Sequence, residues 1–264
     1  DHIKINSADL KISSAWALDA VGAQTDACTV EHDEDMERVT LRFESELVKG
    51  PHTICAEFTG ILNDQLRGFY RGQYLDSDGN EHFLATTQFE ATDARWAFPC
   101  WDEPNLKAIF QVTLIVPKDL TAISNTLPLN EFIGKDGLRV VEFAETPKMS
   151  TYLLAFIVGD FSSVEGTSSD GTLVRVWAIR GKENHGQFAL ENAIRILDYL
   201  NKYFGIPYPL EKLDHIAIPD FAAGAMENWG AITYREIALL FDPENSAAST
   251  KQRIVEIIAH EMAH

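Results

Sequence analysis

The sequence predicts two folded units in series, an all-β N-terminal unit followed by a mixed α+β unit. Up to about residue 160 the apolar residues fall in short, β-prone runs broken by turn residues. The segment Ser162 to Gly171 (SSVEGTSSDG) is small, polar and turn-rich, the composition of a boundary. Beyond it the apolar period lengthens to that of a helix. A chain of 264 residues is long enough for two ordinary domains.

In the first unit, Val39 to Phe43 alternates, and Phe110 to Val116 and Thr151 to Val158 are rich in branched and aromatic residues, so all three read as strands. Turns are expected at Asp78-Gly79-Asn80, Pro117-Lys118-Asp119 and Gly134-Lys135-Asp136-Gly137. The boundary is expected near residue 167, dividing the chain into 1–167 and 168–264, with a strand at Leu173 to Ile179 just after it. Phe188, Ala189, Ile194, Leu197, Leu200, Tyr203 and Phe204 recur at helical spacing and stop at Gly205, ahead of Pro207 and Pro209. Asp242-Pro243 reads as a turn. Ser249 with Gln252 three positions later reads as a capping box, which predicts a helix from about Thr250 to the chain end. Its stripe of Ile254, Val255, Ile257, Ile258, Met262 and Ala263 is broad enough for a helix largely buried in the parent fold.

Hydrophobic residues make up 45% and charged residues 23%, so the chain is apolar enough to fold. A net charge of −18 repels phosphate backbones and anionic lipid, which disfavours nucleic-acid and membrane-surface partners. Cys28, Cys55 and Cys100 are odd in number and widely spaced, the usage of buried, reduced thiols rather than a disulfide framework or a cysteine zinc site. No Asn-x-Ser/Thr acceptor occurs, and apolar runs such as Tyr152 to Val158 are too short to span a bilayer. The expected location is the cytoplasm, although a first residue Asp1 in place of Met leaves a removed leader open.

The chemistry concentrates in His260-Glu261-Met262-Ala263-His264. Residues four apart share one helix face, so both imidazoles can address one metal ion, and two such nitrogens suit zinc. Glu261 then lies close enough to take a proton from water without ligating the metal. Two His and a Glu on an otherwise apolar helix are costly to bury without a partner such as a metal. About thirty residues upstream, Gly224-Ala225-Met226-Glu227-Asn228-Trp229-Gly230 places a carboxylate in a small-residue stretch that can lie along another backbone.

GAMEN followed by HExxH resembles the zinc aminopeptidases of the gluzincin class, most of all their puromycin-sensitive type. The resemblance extends through Thr87-Gln88-Phe89-Glu90, through Ala94 to Pro104 (ARWAFPCWDEP) and through Thr233-Tyr234-Arg235-Glu236, nearly the whole chain. It implies an antiparallel, saddle-like β sandwich followed by the opening part of a thermolysin-like catalytic domain. It also implies that His260 and His264 ligate zinc and that Glu261 is the general base on zinc-bound water. Glu227 would bind the free α-amine of a peptide, and Glu90 would reach the same amine from the β unit. The backbone of Gly224, Ala225 and Met226 would pair with the substrate as an added strand. By the same resemblance the third zinc ligand is a Glu about eighteen residues beyond the second His, with an oxyanion-stabilising Tyr further on. Neither lies within the 264 residues, so these residues alone are expected to bind zinc poorly and hydrolyse little.

Arg95, Asp102 and Glu103 read as an internal ion-pair or capping network rather than as catalytic groups. His52, His82 and His185 lack ligand spacing, and Trp96, Trp101 and Trp229 read as core packing. Two other functions share the motifs. An epoxide hydrolase of the same superfamily has, by resemblance, Gln in place of Glu90, and the carboxylate here favours a cation instead. A noncatalytic β module that binds peptides or a partner protein would keep its affinity on loss of Glu261.

Overall fold

The computed structural model describes residues 2–76 and 78–264, and the side chain of Cys28 lies outside the described residues. The first sheet contains β1 (His2–Asn6), β2 (Leu10–Leu18), β3 (Gln24–Asp33), β4 (Arg38–Phe43) and β5 (Thr53–Gly60), antiparallel in the order β1-β4-β3-β2-β5. In β2, Leu10 and Ile12 face inward and so do Ala15 and Ala17. The parity changes by one because the pairing with β5 shifts between Ile12 and Ser14, and a bulge turns the strand over.

β6 (Gly68–Leu75) and β7 (Glu81–Gln88) form a hairpin whose turn includes Asp78-Gly79-Asn80, with Gly79 at φ 81°. β8 (Thr113–Val116), β9 (Thr121–Ser124), β10 (Pro128–Ile133), β11 (Arg139–Phe143) and β12 (Phe156–Gly159) complete two more antiparallel sheets, β10-β11-β8 and β6-β7-β12-β9. The other two expected turns close with Leu120 N–H on the Pro117 carbonyl at 3.0 Å and Gly134 N–H on the Leu138 carbonyl at 2.8 Å.

Two runs read as strands are shorter than expected. Phe110 exchanges its backbone groups with Thr146 instead of entering a ladder, so that strand begins at Thr113. Thr151–Leu153 forms a 3-10 turn ahead of β12. The physical reason is Asn125, whose side chain donates to the Leu153 carbonyl at 2.8 Å and accepts from Ala155 N–H at 2.9 Å, taking groups a strand would offer its neighbour.

The second unit is a mixed sheet in the order β13-β14-β15-β17-β16. It is built from β13 (Phe161–Thr167), β14 (Leu173–Ile179), the crossover helix α1 (Gln187–Phe204), β15 (Lys212–Ile218), β16 (Ala225–Met226), β17 (Ala231–Arg235) and a last helix, α2 (Ala248–Ala263). β14, β15 and β17 are parallel, and the outer strands are antiparallel to them. The segment expected as a boundary near residue 167 instead forms β13 and the turn into β14. We propose the division at Asp160, because β12 pairs with β7 and β9 whereas β13 pairs with β14. α1 ends at Gly205, at φ 66°, the left-handed conformation expected of that stop.

One face of the second sheet packs under the helices, where Ala189, Leu190, Ala193 and Leu197 of α1 meet Val174, Val176, Ile254 and Ile258. The other face joins the first unit: Ile216 and Ile218 of β15 share a core with Leu84, Phe89, Ile123 and Ile157. Each such side chain contributes about 1.5–3 kcal/mol on full burial. A continuous apolar core, rather than a linker, therefore holds the two units together. Among the described residues no helix is long and apolar enough to cross a membrane.

Cys55 and Cys100 are unpaired as expected but only half-buried, and burial pushes the Cys100 thiol up, first, with Asp102 adding to it. Trp101 is 50% exposed rather than core, with its indole N–H on the Lys4 carbonyl at 3.0 Å.

His215, wholly buried on β15, bonds through Nδ1 to the Tyr234 hydroxyl at 2.9 Å. Burial lowers its pKa to about 4, against an opposing pull from Asp214. Since the folded value lies below the unfolded one, near 6.5, the unfolded chain binds the extra proton between them. Stability from this site is present above pH 6.5 and lost as pH falls toward 4, a change of about 3 kcal/mol. Urea unfolding at a series of pH values should show a shallower acid slope across this window for His215→Phe than for the unsubstituted chain. Equal slopes would remove His215 from the account.

Candidate active site

α2 presents His260 and His264 one turn apart on one exposed face. The helix starts two residues earlier than the capping box requires. Ala247 occupies the cap position without a side-chain bond, and Ser249 lies inside the first turn. The preceding loop is closed instead by Asp242, whose carboxylate accepts from Glu244 N–H at 2.8 Å and from the Asn245 side chain at 2.8 Å.

The Nε2 atoms of His260 and His264 lie 3.2 Å apart. Two imidazole nitrogens on one tetrahedral zinc, each roughly 2.0–2.1 Å from it, stand about 3.3 Å apart. The observed spacing and the imidazole nitrogen donors therefore fit a shared zinc ion. Among the described residues no group of three or more His, Cys, Asp and Glu is assembled to hold a metal. The other ring nitrogen of His264, Nδ1, lies 3.9 Å from Glu227 Oε1, too far for a hydrogen bond but near enough to feel its charge.

Glu261 is half-buried. Burial first, then the negative charge of Glu227, raises its pKa to about 7, with Glu90 adding to the rise and His264 opposing it. The same two carboxylates bear on Tyr152, whose phenol is raised by burial first, then by Glu227 and Glu90. Glu227 follows β16 directly and Glu90 lies two residues past β7, so the charges that bear on Glu261 and Tyr152 come one from each unit.

Ala225 and Met226 form the outermost strand of the second sheet, paired with Tyr234 and Thr233 on one side. Arg235 pins the loop before it by donating to the Phe221 carbonyl at 3.0 Å and to the Ala222 carbonyl, while Arg235 N–H holds the Gly224 carbonyl at 2.9 Å. A Cβ at Gly224 would meet nothing within 4 Å, so there is open space beside this backbone. A cavity of about 210 Å³ reaches from Tyr208 and Leu213 to Trp229, Glu227, Glu261 and His264. A larger cavity of about 780 Å³ lies elsewhere, between β5 and residues 98–110, and none of the residues named in these motifs as zinc ligand, base or amine binder lines it.

Arg95 and Asp102 form the expected internal ion pair, 3.0 Å apart, with Glu37 3.1 Å away on the other side of the guanidinium; Glu103 is exposed. Tyr152, Asn125 and Lys212 were not singled out by sequence. Tyr152 and Asn125 stand in no motif spacing, so no local signal marks them. Lys212 did carry one, because it, Asp214 and His215 are polar residues in a strand whose other positions are apolar.

Residues 1–153 match the peptidase M1 N-terminal domain, and residues 188–264 match the peptidase family M1 domain. The chain belongs to peptidase family M1. Similar M1 proteins include aminopeptidase M1-D of Oryza sativa subsp. japonica, 47% identical over 98% of this chain and 29% of its own length. Puromycin-sensitive aminopeptidase of Caenorhabditis elegans is 44% identical over 100% of the chain and 28% of its own length. Aminopeptidase N of Rattus norvegicus is 48% identical over 94% and 26% respectively. The M1 chain thus spans less than a third of the length of these curated relatives. All three are named aminopeptidases, and neither the epoxide-hydrolase nor the noncatalytic β-module reading gains support from them.

Proposed function

We propose that these residues form the amine-recognising and proton-transferring part of a zinc-dependent aminopeptidase acting on peptides with a free N-terminus. The observation that supports it most is Glu227, 3.9 Å from His264 and lining one cavity with Glu261 and His264, with the charge of Glu90 from the other unit bearing on the same Glu261. Carboxylates crowded at one place repel unless a cation joins them. A peptide α-ammonium, with a pKa of roughly 7.7–8.0, is such a cation at neutral pH.

In this reading Glu227 and Glu90 hold the ammonium through charge-assisted hydrogen bonds. The outer edge of residues 224–226 takes the substrate backbone as an added strand, with Gly224 leaving room for close approach. His260 and His264 hold the zinc, which when bound polarises the scissile carbonyl and makes water nucleophilic at neutral pH. Glu261 accepts the proton of the attacking water and delivers it to the departing amine. A cytoplasmic location belongs to the same proposal and draws support from the unpaired Cys55 and Cys100.

The deciding experiment uses the protein at its natural length with leucine p-nitroanilide and the N-acetyl form of the same substrate. Only the free amine should be cleaved. Glu227→Gln should raise KM about 10–100-fold with a smaller change in kcat, as expected for losing about 1.5–3 kcal/mol of charged hydrogen bonding. Equal cleavage of the acetylated substrate would end the aminopeptidase reading.

A further inference from the structure

We propose that Asn125 and Lys212 are positioning residues that set the distance between the two amine-binding carboxylates, and so the affinity for a free N-terminus. The inference rests on the reading of Glu227 and Glu90 given above and names what holds them in place.

The turn that follows Glu227 has both of its central carbonyls, those of Trp229 and Gly230, captured. Asn125, 1% exposed, donates from Nδ2 to the Trp229 carbonyl at 2.8 Å. Lys212, also 1% exposed, donates from Nζ to the Gly230 carbonyl at 2.6 Å, to the Ser124 carbonyl at 2.6 Å and to Asp214 Oδ2 at 2.7 Å. All three ammonium hydrogens therefore have acceptors, one in the first unit, one in the turn and one in the second sheet. Within the turn, Ala231 N–H closes on the Asn228 carbonyl at 3.0 Å and the Asn228 side chain bonds Thr233 Oγ1 at 3.1 Å.

The same Asn125 amide also holds the Leu153 carbonyl and the Ala155 N–H, one and three residues after Tyr152. One residue further on, Phe156 N–H donates to Thr87 Oγ1 at 3.2 Å, three positions before Glu90. Hydrogen bonds joined by short stretches of backbone thus lead from Thr87, three residues before Glu90, through Phe156 and Ala155 to Asn125, and from there to the turn behind Glu227. Thr87, Ala155 and Asn125 are buried and Phe156 is half-buried, where such bonds tolerate little displacement; Glu90 itself is exposed.

Stability alone is a poor explanation for Lys212. Burying an ammonium is costly, and apolar residues of similar volume commonly hold such an interface as well or better. What an apolar side chain cannot do is reach two carbonyls from different units at once. That capacity is geometric, and geometry is what two carboxylates sharing one ammonium require.

The test uses the enzyme at its natural length and three variants: Asn125→Asp, which keeps the shape but turns an acceptor toward the Trp229 carbonyl; Lys212→Met combined with Asp214→Asn; and Thr87→Val. For leucine p-nitroanilide the first two should raise KM about tenfold or more while kcat stays within about threefold, the split expected when ground-state and transition-state binding weaken together. Hydrogen exchange over residues 227–231 should accelerate in step. Thr87→Val, which removes only the side-chain acceptor of Phe156 N–H and leaves the β12–β7 ladder in place, should raise KM by about threefold and carries the test if either of the others fails to unfold cooperatively. Folded, active variants with unchanged KM would overturn the inference, as would a fall in kcat with KM unmoved. An unsubstituted enzyme that leaves the anilide intact would remove the aminopeptidase reading, and this inference with it.

Discussion

Glu261→Gln in the natural-length protein should lower kcat for an aminoacyl anilide about 10²–10⁴-fold, the usual contribution of a positioned general base. The substitution keeps the volume of the side chain and the helix that carries it. It removes only the capacity to accept a proton and one negative charge. His260 and His264, whose Nε2 atoms already lie at ligand spacing, are untouched, so the zinc content should stay unchanged. KM should also stay close to its original value, because the ammonium is assigned to Glu227 and Glu90 and not to Glu261. Measurement of kcat, KM and bound zinc on the same preparation separates the three. A kcat within a factor of about three of the unsubstituted enzyme would take the general-base role away from Glu261.

Gly230→Ala should be the most damaging of the conservative substitutions, at more than about 4 kcal/mol or a failure to fold. Gly230 sits at φ 73°, and a Cβ there would collide with the Asn125 carbonyl oxygen and approach Leu210 Cδ1 to 2.8 Å. The turn cannot step aside, because its carbonyls are held by Asn125 at Trp229 and by Lys212 at Gly230. Gly205 supplies the control. Its φ of 66° is similar, but a Cβ there meets nothing within 4 Å, so Gly205→Ala should cost only about 1–2 kcal/mol, the intrinsic penalty of the left-handed conformation. Urea unfolding of the two variants side by side measures the difference. Comparable losses would mean that close contact at Gly230 contributes nothing beyond its backbone angle.

Elements whose signal is local were legible. The alternation of Val39 to Phe43 lies within β4, the helical spacing from Phe188 to Phe204 falls in α1, and the glycine stop at Gly205 takes the left-handed conformation that makes it a stop. The runs that failed did so where a distant side chain or strand competed for the backbone. Asn125 converts the beginning of Thr151 to Val158 into a 3-10 turn, and the polar segment 162–171 becomes half of a hairpin because β14 offers it a ladder. Composition alone does not reveal either competitor.

For the site, the order of residues in the chain already placed His260 and His264 on one helix face, because helical periodicity is a local property. It also marked Glu227, Glu90 and Glu261 through motifs that need no third dimension to be recognised. That the charges of Glu90 and Glu227 both bear on Glu261 and Tyr152, and that Lys212 and Asn125 grip the turn behind Glu227, were decided by the tertiary structure alone. These depend on a core shared by two units and on hydrogen bonds between residues as far apart as Asn125 and Trp229, 104 positions along the chain, for which no periodicity exists to be read.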